Sequence, residues 1–383
     1  MRILFITHVE VLDGANRSMM QLIEELRANH NVTPVVVCPC VGPKHKSLSV
    51  ASVCAERGIE CYEMPLVKFK LTKRTWIEKI KIFLGFIIRN VCLIYRLRKV
   101  QFDMVHSNSS VIDMGAYLAM ARHKPHVWHL RELGYEDFRM VSVFGSGYER
   151  WIYSKCTRAI AISKVVERKF HPLFGDRLRL IYNGVVPKDE SLSSQHRNDV
   201  LTFCITGRLE PNKNQLEVLK ACAILKNGMH CSFKMLVVGT GVSNYVDMLK
   251  KYVSDNRLED TVTFMGYRAD VPQILQKCDV GLMASTNEAF GRVTVEYMMQ
   301  NLAVIASNTG ANPEIITDGE TGLLYELGNV EQLADNMRLL MENRNVLLRI
   351  AATGKNHACR NFTSVKNSDN VYRLYLEIMG GRN

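Results

Sequence analysis

A chain of 383 residues exceeds the size at which a single hydrophobic core stops growing, so about two domains are expected. Hydrophobic residues, 47% of the chain, are ample for buried cores, and eleven cysteines without Cys-x-x-Cys or metal-type spacing fit a reducing cytosol. The formal net charge of +11 lies almost entirely in one segment and no nucleic-acid module is recognised, which argues against nucleic acid as a partner.

The N-terminal half, as far as about Val185, alternates short apolar runs with helical segments. The runs that predict strands are Ile3–Ile6, Pro34–Val37, Met104–Ser107, His126–Leu130 and Ala159–Ile162. The first run is too short for the core of a signal peptide and fits a first buried strand. Strands that alternate with helices predict a parallel sheet in residues 1–185.

The loop after the first strand carries Gly14 and Ala15. A small residue there lets backbone N–H groups approach an anion or a sugar, although an ordinary tight turn is the alternative. No Gly-x-Gly-x-x-Gly occurs in this loop, which counts against a dinucleotide-dependent dehydrogenase.

Residues 68–99 hold the excess positive charge, because they contain ten Lys or Arg residues and one Glu, a net charge of +9. The basic residues are Lys68, Lys70, Lys73, Arg74, Lys79, Lys81, Arg89, Arg96, Arg98 and Lys99. Six apolar residues at helical spacing predict one face of a helix, namely Ile77, Ile80, Leu84, Ile87, Val91 and Ile94. Phe83, Phe86 and Ile88 widen this face, and Lys81, Arg89, Arg96 and Lys99 lie towards the other side.

Two interpretations of this helix are open. It is either a core helix with a solvated basic face or an interfacial helix drawn to an anionic membrane surface. Arg89 and Asn90 interrupt the apolar run, so a transmembrane span is not predicted. The second interpretation places the protein peripherally on the cytoplasmic face of a membrane.

Two histidines lie near the ends of neighbouring strand candidates. His106, in Met-Val-His-Ser-Asn, we interpret as structural. His129 is followed by Arg131 and Glu132 and is the functional candidate, because its position at a strand end suits a ligand site. Asn183-Gly184 is predicted to be the turn that closes the domain, with a place in a ligand site as the alternative.

A polar stretch without periodicity, residues 186–200, is predicted to be a linker. A second series of strand candidates follows at Thr202–Ile205, Phe233–Val238, Thr261–Phe264, Val280–Ala284 and Ala303–Ala306. It predicts a second parallel-sheet domain, residues 201–366. The last residues, 367–383, are expected to form a final helix.

Two cations, Arg208 and Lys213, follow the first strand of the second series in ITGRLEPNKN. Positive charge at a strand end suits a diphosphate leaving group, because it stabilises the charge that develops in the transition state. A pair of surface cations in a turn is the alternative. Since no Asp-x-Asp occurs in the chain, a metal-bridged diphosphate is not called for, and no metal or other cofactor is predicted.

Residues 279–322 carry the most informative pattern. An apolar strand ends in a loop with Glu288, and Phe290-Gly291 then opens a helix that carries Glu296. A second strand ends in a Gly-rich turn with Glu314. This is a βαβ crossover, in which ligands bind at the carboxyl ends of the strands and helix starts suit a diphosphate. Glu288 and Glu296 are therefore expected to flank such an anion and to accept hydrogen bonds from sugar hydroxyls.

The spacing of the two glutamates resembles the Glu-x7-Glu signature of retaining glycosyltransferases of the GT-B fold, specifically glycosyltransferase family 4. Other segments similar to that family follow in the expected order, and together they cover nearly the whole chain. They are ITHVEVLDGANRSMMQLI, HVWHLRE, AISK, IYNGV, ITGRLEPNKN, LVVGTG and TFMGY.

The resemblance implies two Rossmann-like domains facing a cleft, with residues 1–185 on the acceptor side and residues 201–366 binding the nucleotide sugar. The final helix, 367–383, is implied to cross back to the N-terminal domain. Several positions depart from the family pattern, which commonly has Gly at Ala15, Asn214, Ala289 and Asn301 and an aliphatic residue at Arg292.

Roles for individual residues come with the resemblance. Glu288 would bind hydroxyls of the donor sugar, and Glu296 would bind the ribose. Arg208 and Lys213 would contact the donor phosphates, and His129 would face the donor sugar and phosphate. The remaining implied donor-binding positions are Gly14, Ala15, Ala289, Phe290 and Gly291, with weaker support for Gly310, Ala311 and Asn312.

The predicted function is transfer of a hexosyl or N-acetylhexosaminyl group from a nucleotide-diphosphate sugar, with a UDP-sugar favoured, to an acceptor hydroxyl with retention of configuration. The acceptor would be a glycan, with a lipid-linked one as an option, in the synthesis of cell-surface polysaccharide or glycolipid. Two alternatives stay open, namely a nucleotide-sugar 2-epimerase of the same fold and a non-catalytic membrane or assembly partner.

Overall fold

The structure is a computed structural model that describes residues 1–40, 42, 49–66, 68–71, 76–187, 200–228 and 232–380. It divides into two compact units, one of residues 1–184 with the helix that begins at Ser364, and one of Val185–Thr363. Most of the predicted linker, residues 188–199, lies outside the described residues, as do Lys73, Arg74 and residues 381–383 of the predicted final helix.

The first unit has a central sheet flanked by helices. Its strands are β1 Arg2–Ile6, β2 Thr33–Pro39, β3 Glu60–Met64, β4 Lys70–Leu71, β5 Met104–Ser107, β6 His126–Leu130, β7 Val141–Ser142, β8 Arg158–Ala161 and β9 Leu178–Leu180. Its helices are α1 Gly14–His30, α2 Val50–Glu56, α3 Trp76–Arg96, α4 Met114–Ala121, α5 Tyr135–Phe138, α6 Gly145–Ser154, α7 Lys164–Phe174 and, from the end of the chain, α15 Ser364–Gly380.

Seven strands of the described chain form the main sheet of this unit, in the order β3-β2-β1-β5-β6-β8-β9, and every pairing is parallel. Ile3 is in register with Pro34 on one side and with Met104 on the other, so β1 lies at the centre. The order reverses between β1 and β5, and the loops after these two strands therefore meet at a topological switch point, where ligands of open parallel sheets bind.

Helix α15 packs in the core of the first unit. Val371, Leu374 and Tyr375 belong to the same buried apolar cluster as Met19 and Ile23 of α1. The end of the chain thus supplies side chains that reach the central sheet.

The second unit also has a central parallel sheet with helices, and its sheet has six described strands where the main sheet of the first unit has seven. Its strands are β10 Thr202–Thr206, β11 Lys234–Val238, β12 Val262–Gly266, β13 Val280–Met283, β14 Ala303–Ser307 and β15 Leu323–Tyr325. Its helices are α8 Gln215–Gly228, α9 Ser243–Asp255, α10 Val271–Leu275, α11 Arg292–Met299, α12 Asn312–Ile315, α13 Val330–Glu342 and α14 Arg344–Asn361.

The strand order of the second sheet is β12-β11-β10-β13-β14-β15, again with parallel pairings throughout its described strands. This is the order of a Rossmann fold, with its switch point between β10 and β13. The predicted α/β architecture of two Rossmann-like parallel-sheet domains is confirmed.

The sequence did not predict β3, β9 or β15, nor the antiparallel pair β4–β7. β3, β9 and β15 lie at sheet edges, and the last two have three residues each. The runs of β9 and β15 are too short to stand out, and β3 has the sequence ECYEM, in which two glutamates interrupt the apolar pattern. The neighbouring strand rather than local pattern fixes the conformation of all three.

Helix α3 buries a different face from the one that spacing suggested. Phe86 and Leu93, with Leu97 just beyond the helix, are buried against the core of the first unit. Leu84, Ile87 and Val91 of the predicted apolar face are 57%, 46% and 61% exposed, which contradicts the interpretation of that face as the core contact. The side chains of Ile77, Lys79, Ile80 and Lys81 lie outside the described residues.

Both faces of α3 are apolar at helical spacing, so periodicity could not tell which of them packs. The buried face carries Phe86, whose ring lies 5.2 Å from that of Phe144 and 5.5 Å from that of Tyr117. Among the described helices, none is both long and apolar enough to cross a membrane.

Candidate functional site

The loops after β10 and β13 meet at the switch point of the second sheet. Thr286 donates its backbone N–H to the carbonyl of Asn212 over 2.9 Å, which joins the two loops. The Lys213 ammonium forms an ion pair with Oε1 of Glu288, and the Ser285 hydroxyl donates to the same oxygen over 2.9 Å. Two residues singled out in separate motifs are therefore in direct contact.

A third loop, after β14, supports Glu288 from its backbone. Gly310 has φ +57°, and a Cβ there would lie 2.5 Å from the backbone N and O of Glu288. The Ala311 N–H donates to the Glu288 carbonyl over 2.9 Å. Only glycine accommodates both this conformation and this approach, so Gly310 fixes the position of the Glu288 backbone.

Glu296 lies in the first turns of α11 and pairs with Arg292, whose Nε is 2.9 Å from Oε1 of Glu296. Gly291 caps this helix at φ +78°. The packed residues Ala289 and Phe290 are both buried. A ligand that contacts Glu296 at this helix start would therefore meet a carboxylate already oriented by an arginine, at the end of the helix that favours anions.

Arg208 is not brought to Glu288. Its side chain is 74% exposed, and its Nε lies 3.6 Å from Oε2 of Glu210 in the same loop. Asn214, where the family pattern has Gly, adopts the left-handed conformation at φ +52° that a glycine would favour. The turn that carries Lys213 therefore tolerates this departure.

In the first unit, Gly14 and Ala15 form the first turn of α1 at the corresponding switch point, so their predicted place in the loop before that helix is wrong. The Asp13 carboxylate caps the helix by accepting the Asn16 N–H over 2.8 Å. The buried Asn16 amide donates to the carbonyls of Val9 and Val11, and Asn108 donates to the Ala15 carbonyl over 3.2 Å. A Cβ added at Gly14 would meet no atom within 4 Å, so close packing does not require glycine there.

Arg131 ties three segments of the first unit together. Its Nε donates to Oδ1 of Asn108 over 2.9 Å, and its Nη1 donates to Oδ1 of Asn183. Glu132 accepts from the hydroxyls of Ser109 and Ser110 over 2.6 and 2.8 Å. The interpretation of Asn183 as part of a simple turn missed this contact, and the run Asn108–Ser110 at the end of β5 was a usable signal, because such polar residues directly after a buried strand need partners.

His129 is completely buried and lies beside His106. Burial lowers the pKa of both imidazoles well below the usual range, and the nearby positive charge of Arg131 acts in the same direction. Both rings are therefore neutral at physiological pH. Within the described ranges, no three or more His, Cys, Asp or Glu side chains come together as a ligand set for a metal ion.

Two family models match adjoining parts of the chain. One described as Glycosyltransferase Family 4 matches residues 12–189, and one described as Glycosyl transferases group 1 matches residues 188–357. Together they run through both units.

Among curated proteins, similar ones include the UDP-Gal:alpha-D-GlcNAc-diphosphoundecaprenol alpha-1,3-galactosyltransferase of Escherichia coli. It is 25% identical over an alignment of 315 positions, which covers 76% of this chain and 80% of that protein. The putative glycosyltransferase EpsD of Bacillus subtilis is 23% identical, over 76% of this chain and 82% of its own length.

Among solved structures, HepE of Anabaena in complex with UDP has a TM-score of 0.80 at 21% identity, and the match covers 98% of this chain and 100% of that one. The same protein in complex with UDP-glucose has a TM-score of 0.78 at 22% identity, over 98% and 100% of the two chains. Likeness at this identity concerns the fold.

Proposed function

The chain belongs to the family 4 glycosyltransferases of the GT-B fold, and from that premise we propose that it moves a sugar from a UDP-sugar to an acceptor hydroxyl with retention of configuration. The sugar would be a hexosyl or N-acetylhexosaminyl group. The acceptor would be a glycan, lipid-linked in our proposal, in the synthesis of cell-surface polysaccharide or glycolipid. The names of the Escherichia coli and Anabaena relatives support a UDP-sugar and a diphospholipid-linked acceptor.

The observation that carries this proposal is the ion pair of Lys213 and Glu288 at the switch point of the second sheet. Among the described residues, the Glu288 carboxylate contacts Lys213 and Ser285, and both bind its Oε1. Oε2 is thereby oriented and available to accept hydrogen bonds from the hydroxyls of a bound sugar. A charged acceptor fixed before the ligand arrives is what transition-state binding requires.

Lys213 would also serve the leaving group. Its ammonium lies at the carboxyl end of β10, next to the site that we assign to the sugar, and it can stabilise charge on the departing diphosphate. Arg208 is in the same loop with an exposed side chain and would turn towards the phosphates when they bind. With no Asp-x-Asp in the sequence, we propose that these cations replace a metal ion.

Retention without a protein nucleophile fits a front-face substitution. The bond from the anomeric carbon to the diphosphate oxygen breaks, and a bond from that carbon to the acceptor oxygen forms on the same face. The acceptor proton passes to an oxygen of the leaving phosphate. Glu288 would then bind and orient the sugar rather than attack it.

The exposed apolar face of α3 supports a membrane-docking proposal. We define this docking face by its exposed apolar residues Phe83, Leu84, Ile87, Ile88, Val91 and Tyr95. An apolar face on a helix with a basic flank is the composition of an interfacial helix, which lies in the headgroup region with its apolar side towards the acyl chains. We propose that the docking face binds an anionic membrane leaflet. The cysteines at all ten described positions are free, which supports the cytoplasmic leaflet, because the cytosol is reducing.

A cavity beside the docking face also supports binding to an anionic membrane. It has a volume of about 160 Å³ and is lined by Met64, Pro65, Leu66, Arg89, Cys92, Arg96 and Met114. Arg89 and Arg96 are two helical turns apart, and neither has a salt bridge to a carboxylate in the described part of the chain. Two such guanidinium groups over an apolar floor suit the phosphate of an anionic lipid.

Donor binding tests the proposal before any acceptor is known. A ligand at 100 times its dissociation constant adds about 2.7 kcal/mol to the free energy of unfolding. Thermal unfolding with UDP, UDP-glucose, UDP-galactose and UDP-N-acetylglucosamine should therefore show stabilisation by UDP and by the true donor. Absence of stabilisation by UDP and by all three sugars at millimolar concentration would count against a UDP-sugar donor.

A further inference from the structure

Three buried side chains of the first unit form a continuous hydrogen-bond chain that ends at His129. The Tyr375 hydroxyl of α15 lies 2.6 Å from Nδ1 of His106, and Nε2 of His106 lies 3.1 Å from Nδ1 of His129. All three residues are 0% exposed. The last atom of the chain, Nε2 of His129, is buried and has no hydrogen-bond partner among the described residues.

Each member of this chain is neutral, so its hydrogen atoms can be counted. Burial lowers the pKa of His106 and of His129 and raises the pKa of Tyr375. Each imidazole therefore carries one N–H, and the tyrosine keeps its O–H. Two directions of donation satisfy the two contacts, one running from Tyr375 to His129 and one running the opposite way.

The two directions differ in the buried groups that they leave unpaired. If His129 donates to His106 and His106 donates to Tyr375, the tyrosine hydrogen needs another acceptor. In the described part of the chain, the hydroxyl of Tyr375 has His106 as its hydrogen-bond partner. That direction would thus leave a buried O–H donor unpaired in addition to the unpaired His129 nitrogen, and unpaired buried donors are costly.

The other direction pairs every hydrogen atom except one. The Tyr375 O–H donates to Nδ1 of His106, which places the His106 hydrogen on Nε2. That hydrogen is donated to Nδ1 of His129, which places the hydrogen of His129 on Nε2. The remaining unpaired group is then the N–H at Nε2 of His129.

We propose that Tyr375, acting through His106, fixes the tautomer of His129 so that its Nε2–H is a hydrogen-bond donor to an oxygen atom of the sugar-nucleotide donor. The identity of the ligand that His129 binds rests on the proposed function, whereas the assignment of the His129 tautomer does not. Tyr375 and His106 are positioning residues in this account. Neither has been singled out by its motif as functional, and His106 was interpreted as structural.

This arrangement gives His129 a defined chemical role. A neutral imidazole that carries its hydrogen on Nε2 can donate it to a developing oxyanion or a sugar hydroxyl, but it cannot accept a proton at that nitrogen. It resembles in principle other neutral imidazoles that act as electrophiles because their surroundings keep them uncharged. The tyrosine comes from α15, which returns to the first unit after the second unit is complete.

The tautomer can be measured directly in the full-length protein. Protein labelled with ¹⁵N at its eleven histidines gives long-range ¹H–¹⁵N correlations that distinguish Nδ1–H, Nε2–H and doubly protonated rings. His106→Gln and His129→Gln spectra assign the two signals. The proposal expects both rings as Nε2–H tautomers at pH 7, and an Nδ1–H or charged His129 in the wild type would overturn it.

Tyr375→Phe removes the hydroxyl that sets the direction. The proposal expects a substantial Nδ1–H population at His129 in this variant and turnover lowered by about tenfold, with free UDP bound as in the wild type. Tyr372→Phe is the matched control, because it removes a hydroxyl from the same helix where the ring stacks on His30 at 4.2 Å. Unchanged tautomers in Tyr375→Phe would overturn the proposal.

The two readouts separate this inference from the function on which part of it rests. If the protein shows the expected tautomers but transfers no sugar, the inference about the hydrogen-bond chain is supported and the proposed function is wrong. If Tyr375→Phe does not fold, the wild-type spectrum still decides the direction of donation.

Discussion

The ammonium of Lys213 and the carboxylate of Glu288 are paired although 75 residues separate them in the chain. The pair forms because β10 and β13 are adjacent strands whose following loops lie on the same edge of the sheet. It joins a cation suited to a diphosphate to a carboxylate suited to a sugar. In the proposed function, the diphosphate and the sugar on either side of the bond that breaks would each meet one residue of this pair.

Glu288→Gln separates sugar recognition from nucleotide binding. The amide keeps the shape of the side chain but removes the charge opposite the sugar and the partner of Lys213. We expect turnover to fall about 100-fold, which corresponds to ~3 kcal/mol of transition-state stabilisation. Free UDP should bind within about threefold of the wild-type affinity, as calorimetry would measure, because the residues that we assign to the nucleotide, Lys213, Arg208 and Glu296, are unchanged.

Glu296→Gln should instead weaken UDP itself. If the carboxylate accepts charge-assisted hydrogen bonds from the ribose, their loss costs about 1.5–3 kcal/mol of binding free energy. The exposed Glu331, in the first turn of α13 in the same unit, provides the control, since Glu331→Gln should leave calorimetric UDP affinity unchanged. Equal affinities for wild type and Glu296→Gln would refute the assignment to the ribose.

The docking face can be tested by vesicle sedimentation. Arg89→Gln/Arg96→Gln removes two charges worth roughly 1 kcal/mol each at an anionic surface, so binding to phosphatidylglycerol-containing vesicles should fall about 30-fold. Wild-type binding should also weaken with salt, because exposed charges are screened. Lys250→Gln/Lys251→Gln removes the same charge from α9 and should have no such effect. The proposal is wrong if all three proteins sediment equally.

Asp113 gives the protein a pH-dependent stability. The residue is fully buried, and burial raises its pKa from 3.8 to about 7 despite a hydrogen bond from the Tyr148 hydroxyl. Because the folded pKa is higher than the unfolded one, the folded state binds the proton more tightly. The free energy of unfolding therefore falls as pH rises from about 4 to about 7, by at most ~4 kcal/mol.

Asp113→Asn should remove that loss, since its amide oxygen still accepts from Tyr148 and never ionises. Urea unfolding at pH 5 and at pH 8 should show the variant gaining stability relative to the wild type at the higher pH. The exposed Asp247→Asn should keep the wild-type profile. Parallel profiles for wild type and Asp113→Asn would contradict the burial argument.

The fold could be predicted because apolar runs and helical segments alternate along the whole chain, and that alternation leaves little choice but parallel sheets. The edge strands and the buried face of α3 could not be predicted, because contacts with neighbouring elements determine them. β9 and β15 acquire strand geometry from the strands beside them. Helix α3 is apolar on two faces, and the buried one is the face on which Phe86 packs against Phe144 and Tyr117.

In the candidate site, too, features set by local pattern could be predicted, and contacts between distant residues could not. Glu288 and Lys213 could be expected on one edge of a sheet, because each lies in the loop that follows a strand. The contact between His106 and Tyr375 spans 269 residues and has no local pattern. Likewise, the polar run Asn108–Ser110 after β5 indicates that these side chains need partners, but it does not indicate that the Asn108 oxygen accepts from Arg131.

Transfer with stereochemical analysis tests the central claim most directly. Purified protein is incubated with radiolabelled UDP-sugars and a diphospholipid-linked glycan acceptor, in excess chelator, and the product is examined by proton NMR. Our account predicts label in the acceptor with the α configuration of the donor kept, undiminished by the chelator. A β-linked product, conversion of the UDP-sugar to its 2-epimer without acceptor, or activity that returns only with added magnesium or manganese would contradict it.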